Sequence, residues 1–443
     1  MKRKIIDRII DWKQEPESRP LLLTGAKGVG KTYVAYDFAK SFYDHILYIN
    51  LEREPSAREL FMPEATEGIT DRLLKYFQLS EAEEPFKRLL ILDEISFCPD
   101  AVGYLTSVDT SREFPWVIAI TSLPLPVEYA GSFHILPIAP LEFDEFLLAT
   151  ANEWYIEAIL THFESNKPLP EIVHKELLTL HELYIRIGGM PGAINEYLNF
   201  RTLANIPEQH NLMIGAYHDY ILKIYQDSDA LKMNQVFDSL TQQLVKVNKK
   251  FQYKLIRKGT THGMYKDAIQ KLTDCDYILQ CHKLKTEQLI SDNNILTSTQ
   301  SAYTKPGSIE PEEASEGDNG TNFKLYLPDT GLLYTSITEE KYLSTDPVVR
   351  KAILENYVAQ AFHAKGYPLG FWESESTAKI EFILPKENYF IPVEVHIDEN
   401  TRSKSISVLR QRQAFPYAVK ITSKNFEFAN QVKYVPYYAV FCL

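Results

Sequence analysis

Along the first 150 residues, short apolar runs alternate with longer stretches of mixed polarity. The runs fall at Leu21–Leu23, His45–Leu51, Leu89–Leu92, Trp116–Ser122 and Phe133–Ile138. Runs this short and this continuous predict strands buried on both faces, and the segments between them suit helices. Such alternation implies a parallel sheet covered on both sides, with any ligand at the C-terminal edge of its strands. From 170 to 225 the apolar spacing is helical. It is broken by GGMPG (188–192), where Pro191 fits the first turn of a new helix. Residues 231–248 also carry apolar positions at helical spacing, followed by a second helix around Met264–Leu272 and a strand within Cys275–Leu284. Beyond 323 the pattern predicts a helix through Glu355, then short strands near 371, 381 and 394. A helix over Arg402–Gln413 and strands over Ala418–Ser423 and Val435–Phe441 complete the chain.

At 443 residues the chain is too long for one core. The boundaries expected are 1–150, 151–228, 229–290, 291–322 and 323–443. The fourth segment is rich in Ser, Thr, Gly, Pro and acids and reads as a mobile linker or long loop. Hydrophobic residues make up 45% and charged residues 24%, as in an ordinary globular protein. No apolar run reaches the length of a membrane span, and Asp7, Arg8 and Asp11 interrupt the basic N-terminus where a signal-peptide core would lie. These features predict a cytoplasmic protein, for which the four cysteines are thiols rather than disulfides. Cys275 and Cys281 are too awkwardly spaced for zinc. A net charge of −12 excludes a global electrostatic grip on nucleic acid.

Two motifs carry chemistry. Gly25-Ala26-Lys27-Gly28-Val29-Gly30-Lys31-Thr32 fits G-x-x-x-x-G-K-[ST] between a predicted strand and a predicted helix. Its glycines let backbone N–H groups wrap phosphates, and the helix start favours the same anion. Lys31 would reach the β- and γ-phosphates of ATP, and Thr32 would ligate Mg²⁺. Leu89–Leu92 leads into Asp93-Glu94, a Walker B pattern in which Asp93 joins the Mg²⁺ shell and Glu94 orients or deprotonates the attacking water. The strand over Trp116–Ser122 ends in Thr121-Ser122, a place where a polar side chain commonly senses the γ-phosphate, and Thr121 is the expected sensor.

Further stretches are PLEFDEFL (140–147), IGGMPGAINEYL (187–198), FKLYLPDTGLL (323–333), ILENYV (353–358) and the paired runs at 380–396. With the two motifs above, and in this order, they make the chain resemble prokaryotic AAA-type ATPases that carry a C-terminal restriction-endonuclease-like domain of unknown function. The resemblance implies a P-loop NTPase sheet with a helical lid, then a winged-helix module and a nuclease-like α/β domain. It also implies a Gly-Arg pair before the strand that leads to PLEF. Here Gly131 is followed by Ser132, with Arg112 and Arg186 as substitutes that nothing in the sequence singles out.

The C-terminal order of elements resembles the PD-(D/E)xK nuclease fold. That fold needs a helix acid, two strand acids that hold Mg²⁺, and a lysine two residues after the second. Glu355, Glu381 and Glu394 can fill the acid positions, and His396 stands in the place of the lysine, on the same strand face as Glu394. The reading is a non-cleaving domain whose state is set by ATP bound upstream. Two alternatives stay open: a slow nucleotide-switched protein that binds an unidentified protein partner, and an ATP-regulated metal-dependent nuclease. Six basic residues between Lys246 and Lys258 interleave with Phe251 and Tyr253. They suit either DNA contact or a solvated loop anchored by its two aromatics.

Overall fold

The computed structural model describes residues 1–15, 19–63, 68–79, 85–106, 114–286, 289, 322–340, 342, 345–375 and 377–443. The linker expected over 291–322 therefore lies outside the described residues except for Asn322, and Arg112 lies outside them too. The described residues form two compact units, Arg3–Ala139 and Pro140 onward.

The first unit is built on strands β1 (Leu21–Thr24), β2 (His45–Asn50), β3 (Arg88–Asp93), β4 (Val117–Ile120) and β5 (His134–Pro137). Helices α1 (Ile5–Gln14), α2 (Lys31–Phe42), α3 (Ile69–Tyr76) and α4 (Pro99–Thr106) accompany them. All strand pairs are parallel, in the order β2-β3-β4-β1-β5. Every residue of β1, β3 and β4 is buried, which is why these strands read as unbroken apolar runs.

The second unit begins with helices α5 (Phe143–Ala149), α6 (Trp154–Ser165), α7 (Glu171–Ile187), α8 (Pro191–Phe200) and α9 (Ile206–Ile224). Helices α10 (Asp227–Asp238), α11 (Leu240–Leu244) and α12 (His262–Asp274) then lead to β6 (Leu279–Lys283). The expected helix–helix–strand order is present, but β6 pairs antiparallel with β7 (Phe323–Tyr326) and parallel with β8 (Gly370–Glu373). The segment read as a linker is thus flanked by two strands of one sheet, which β9 (Lys379–Ile380) extends to the order β7-β6-β8-β9. A second sheet has the order β10-β11-β12-β14-β13, with β10 (Phe382–Lys386), β11 (Tyr389–Val395), β12 (Ala418–Thr422), β13 (Glu427–Ala429) and β14 (Val432–Pro436). The strand expected over 435–441 ends at Pro436, and a 3-10 turn occupies Tyr437–Cys442. Proline has no N–H with which to continue the ladder.

Among the described residues, three further helices follow: α13 (Thr330–Glu339), α14 (Pro347–Ala364) and α15 (Ser405–Arg412). Helix α14 is buried at every position from Ala352 to Phe362, so its polar residues must be satisfied inside the protein. Asn356 Oδ1 accepts from Leu327 N at 2.8 Å, and Gln360 Oε1 accepts from Thr330 N at 2.8 Å. Gln360 Nε2 donates to Tyr184 Oη at 3.0 Å, and Tyr184 in turn donates to Leu141 O at 2.7 Å. Asp329, fully buried, accepts from Gly189 N at 2.6 Å, and Gly189 O accepts from Leu141 N at 2.8 Å. The PLEF, GGMPG, LPDTG and ILENYV stretches are therefore four parts of one buried hydrogen-bond network.

Candidate functional site

In a parallel sheet all C-terminal strand ends share one edge. Because β4 lies between β1 and β3, Ser122 just beyond β4 falls between the loop that follows β1 and the acids that end β3. The loop turns on Gly25, Gly28 and Gly30, whose φ angles are 128°, 88° and 96°, in the region that favours glycine. A Cβ on Gly25 would stand 2.2 Å from Ile138 O, so this position admits no side chain. Gly30 begins α2 with no side-chain cap, leaving the helix start turned toward the loop. Arg3 braces the loop from outside the motif: its guanidinium donates to Val29 O at 3.0 Å and Ala139 O at 2.8 Å. Lys27 pairs with Glu52 at 2.9 Å.

Lys31 is buried and donates to Gly25 O at 2.7 Å, Ala26 O at 2.9 Å and Ser122 Oγ at 2.9 Å. Ser122 Oγ donates to Glu94 Oε1 at 2.5 Å, and Ser122 N donates to Glu94 Oε2 at 3.1 Å. Glu94 has a left-handed backbone, φ 52°, uncommon for a non-glycine residue. Thr32 Oγ1 donates to Asp93 Oδ2 at 2.8 Å, so the hydroxyl and carboxylate that suit Mg²⁺ are already adjacent. Asp93 Oδ2 also accepts from Tyr48 Oη at 2.8 Å and Asn50 Nδ2 at 3.3 Å. Burial, reinforced by Asp93, pushes the Tyr48 hydroxyl well above its ordinary range, so it stays a donor.

The structure thus brings Lys31, Thr32, Asp93 and Glu94 together as the spacing predicted. Thr121 turns elsewhere. Its Oγ1 donates to Leu123 O at 2.7 Å and accepts from Leu123 N, closing its own turn, while Ser122 touches Lys31 and Glu94. Tyr48, Asn50 and Arg3 are not singled out by the sequence reading. Asn50 ends β2 on the motif edge, the one signal that could have found it, while Tyr48 lies two residues earlier in the same strand. Near Ser132, Arg19 Nη1 donates to Gly131 O at 2.5 Å; Arg186 is a residue of the second unit, paired with Glu182 at 3.6 Å.

Glu355 lies on a helix, α14, and Glu394 on a strand, β11, as expected, but Glu381 does not lie on a strand. It lies between β9 and β10, where the chain leaves one sheet for the other. Its Oε2 accepts from Val395 N at 3.2 Å and its Oε1 holds Lys351 Nζ at 2.8 Å. Glu355 is ringed by Lys249 at 3.2 Å, with Lys324 and Lys351 each at 3.8 Å. Glu394 is held by Ser403 Oγ at 2.6 Å, His396 Nε2 at 3.0 Å and Lys420 Nζ at 3.3 Å. Among the described residues no three His, Cys, Asp or Glu side chains gather as a metal-binding group. Lys351 thus holds the Glu381 carboxylate, and Lys420 holds that of Glu394.

The basic stretch is also changed by burial. Phe251 is fully buried and stacks on Phe323 with ring centres 5.4 Å apart, and Tyr253 is buried beside it. Lys249 is committed to Glu355, and Lys250 to Glu373 at 2.6 Å. The two aromatics anchor the segment, and stacking on nucleic-acid bases is closed to them. All four cysteines are free, and burial pushes the Cys281 thiol up to about 12.

No helix among the described residues is long and apolar enough to cross a membrane. A family model for an AAA domain matches residues 17–147, one for a domain of unknown function (DUF8612) matches 179–307, and another (DUF4143) matches 350–440. No curated protein matches the chain. Among solved structures, the Walker-type ATPase paby2304 of Pyrococcus abyssi is similar at 13% identity and TM-score 0.41, over 76% of this chain and 95% of that one. The Aeropyrum pernix ORC1 protein, solved in complex with DNA, is similar at 13% identity and TM-score 0.31, over 77% of this chain and 91% of that one. Both likenesses are too distant to bear on function. The domain match, the parallel strand order and the glycine-rich loop together make residues 17–147 an AAA-type P-loop domain.

Proposed function

We propose that the chain binds ATP and hydrolyses it to ADP and phosphate. The observation that carries this reading is the pair of contacts at one sheet edge: Thr32 with Asp93, and Lys31 with Glu94 through Ser122. The loop N–H groups and Lys31 would bind the phosphates. Thr32 and Asp93 would hold Mg²⁺, which when bound offsets phosphate charge. Glu94 would take a proton from water as the water oxygen bonds to the γ-phosphorus and the bond to the bridging oxygen breaks. Ser122 would keep Lys31 and Glu94 in register. The test is binding of a fluorescent ATP analogue: wild type binds it and Lys31→Ala does not. Equal affinity in both would remove the reading.

A second reading has specific support. Both oxygens of Glu94 are engaged by Ser122, and Ser132 stands where the resemblance expects an arginine. A base held this way must be released before it can act, which favours a slow nucleotide-switched protein that binds a partner. Under this reading, ATP and ADP give different limited-proteolysis patterns while turnover stays near zero. The C-terminal segment would then be a non-cleaving domain that follows the nucleotide state, and the lysines on Glu355 and Glu381 support that assignment. DNA that stays intact with Mg²⁺ or Mn²⁺ agrees with it. Cleavage abolished in Glu394→Ala would make the chain an ATP-regulated nuclease.

A further inference from the structure

Glu355, Glu381 and the carbonyl of Val395 come from a helix, a sheet-to-sheet crossing and a strand end, yet they face one point. That point is occupied by the ammonium of Lys351, one helical turn before Glu355. Its Nζ lies 2.8 Å from Glu381 Oε1 and 3.8 Å from Glu355 Oε1, and it donates to Val395 O. Two carboxylates and a carbonyl are the oxygen donors a hard divalent cation takes. They open on a cavity of about 360 Å³ lined by Lys249, Lys324, Lys351, Glu355, Glu381 and His396 among others. Burial alone would raise the Glu355 carboxyl, but Lys249, Lys324 and Lys351 hold it down at about 2. Burial would lower Lys351, but Glu381 and Glu355 outweigh it, so the ammonium stays charged.

We propose that Lys351 is the resident cation of this seat, standing among the oxygen donors that would otherwise take a divalent metal. The seat then accepts a divalent cation only when that ammonium is removed. The donors fit a cation, and the protein supplies its own. A tethered ammonium neutralises the carboxylates but has no open coordination position at which to polarise water or a phosphoryl oxygen. The inference is independent of the ATPase reading, since it concerns residues of the second unit alone.

The test uses full-length protein carrying Asp93→Asn, so that the P-loop unit gives no metal response. Thermal unfolding is recorded with and without Mn²⁺. In this background the seat should give no Mn²⁺-dependent shift. Lys351→Met should have a lower melting temperature that Mn²⁺ raises, and adding Glu381→Gln should abolish that rise. Lys351→Gln, which keeps length and a donor without the charge, serves if the methionine variant does not fold. The proposal is overturned if the parent already shows a Mn²⁺ shift that Glu381→Gln removes. It is also overturned if folded Lys351 variants show none.

Discussion

Replacing Ser122 with alanine removes one hydroxyl that serves two partners, Lys31 and Glu94. If Ser122 positions them, turnover in Ser122→Ala falls about tenfold, roughly 1.4 kcal/mol of barrier. A rise would mean that the serine restrains Glu94. Thr121→Val, by contrast, loses only a local turn contact. It should cost about 1 kcal/mol of stability and leave turnover unchanged, as a urea titration and a phosphate-release assay would show. The sequence placed a polar pair at the end of this strand but could not say which member turned inward. The strand ends at Ile120, and the turn that follows, not strand alternation, sets both directions. Lys31, Thr32, Asp93 and Glu94 were legible because their spacing is tied to a strand–loop–helix geometry. Tyr48 and Arg3 were not, because neither belongs to a motif of fixed spacing.

Helices and strands carry the same lesson at the next scale. Buried parallel strands announce themselves as unbroken apolar runs, so the first sheet could be read directly. The family stretches around Gly188 and Asp329 could be seen but not explained, since their reason is a long-range fit. A Cβ on Gly188, whose φ is +74°, would stand 2.2 Å from Asp329 Oδ1. A Cβ on Gly331 would stand 2.7 Å from Ile187 O. Gly331→Ala should therefore lose about 3 kcal/mol by urea unfolding, through forced displacement of packed backbone. Gly192→Ala meets nothing within 4 Å and should stay within about 1 kcal/mol of wild type. Equal losses at the two sites would contradict the network. The crossing between sheets at Glu381 was hidden because one extended segment serves two sheets. Sequence pattern reports burial but not which neighbour a strand chooses.

For the molecule as a whole, charge was the least legible property. A net charge of −12 gives no hint that three lysines from separate segments surround one buried glutamate. Acid stability is likewise set by single buried groups. Burial first, and Arg350 second, push folded His181 down to about 3 from 6.5. The unfolded chain takes up a proton there that the folded chain refuses, so stability is full above about pH 6.5 and declines as pH falls toward about 3. His181 Nε2 has no hydrogen-bond partner among the described residues, while the ring packs on Phe143, Tyr357 and Tyr437. His181→Phe should keep those contacts and flatten the decline between pH 6.5 and 4, read from urea midpoints.

The central claim is that the edge formed by β1, β3 and β4 hydrolyses ATP through Glu94. The direct measurement is steady-state phosphate release with Mg-ATP, alongside bound nucleotide, for wild type and Glu94→Gln. The account predicts turnover by wild type, and a loss of about a hundredfold or more in Glu94→Gln with ATP still bound. Turnover that survives in Glu94→Gln, or wild-type protein that binds no ATP, would contradict it.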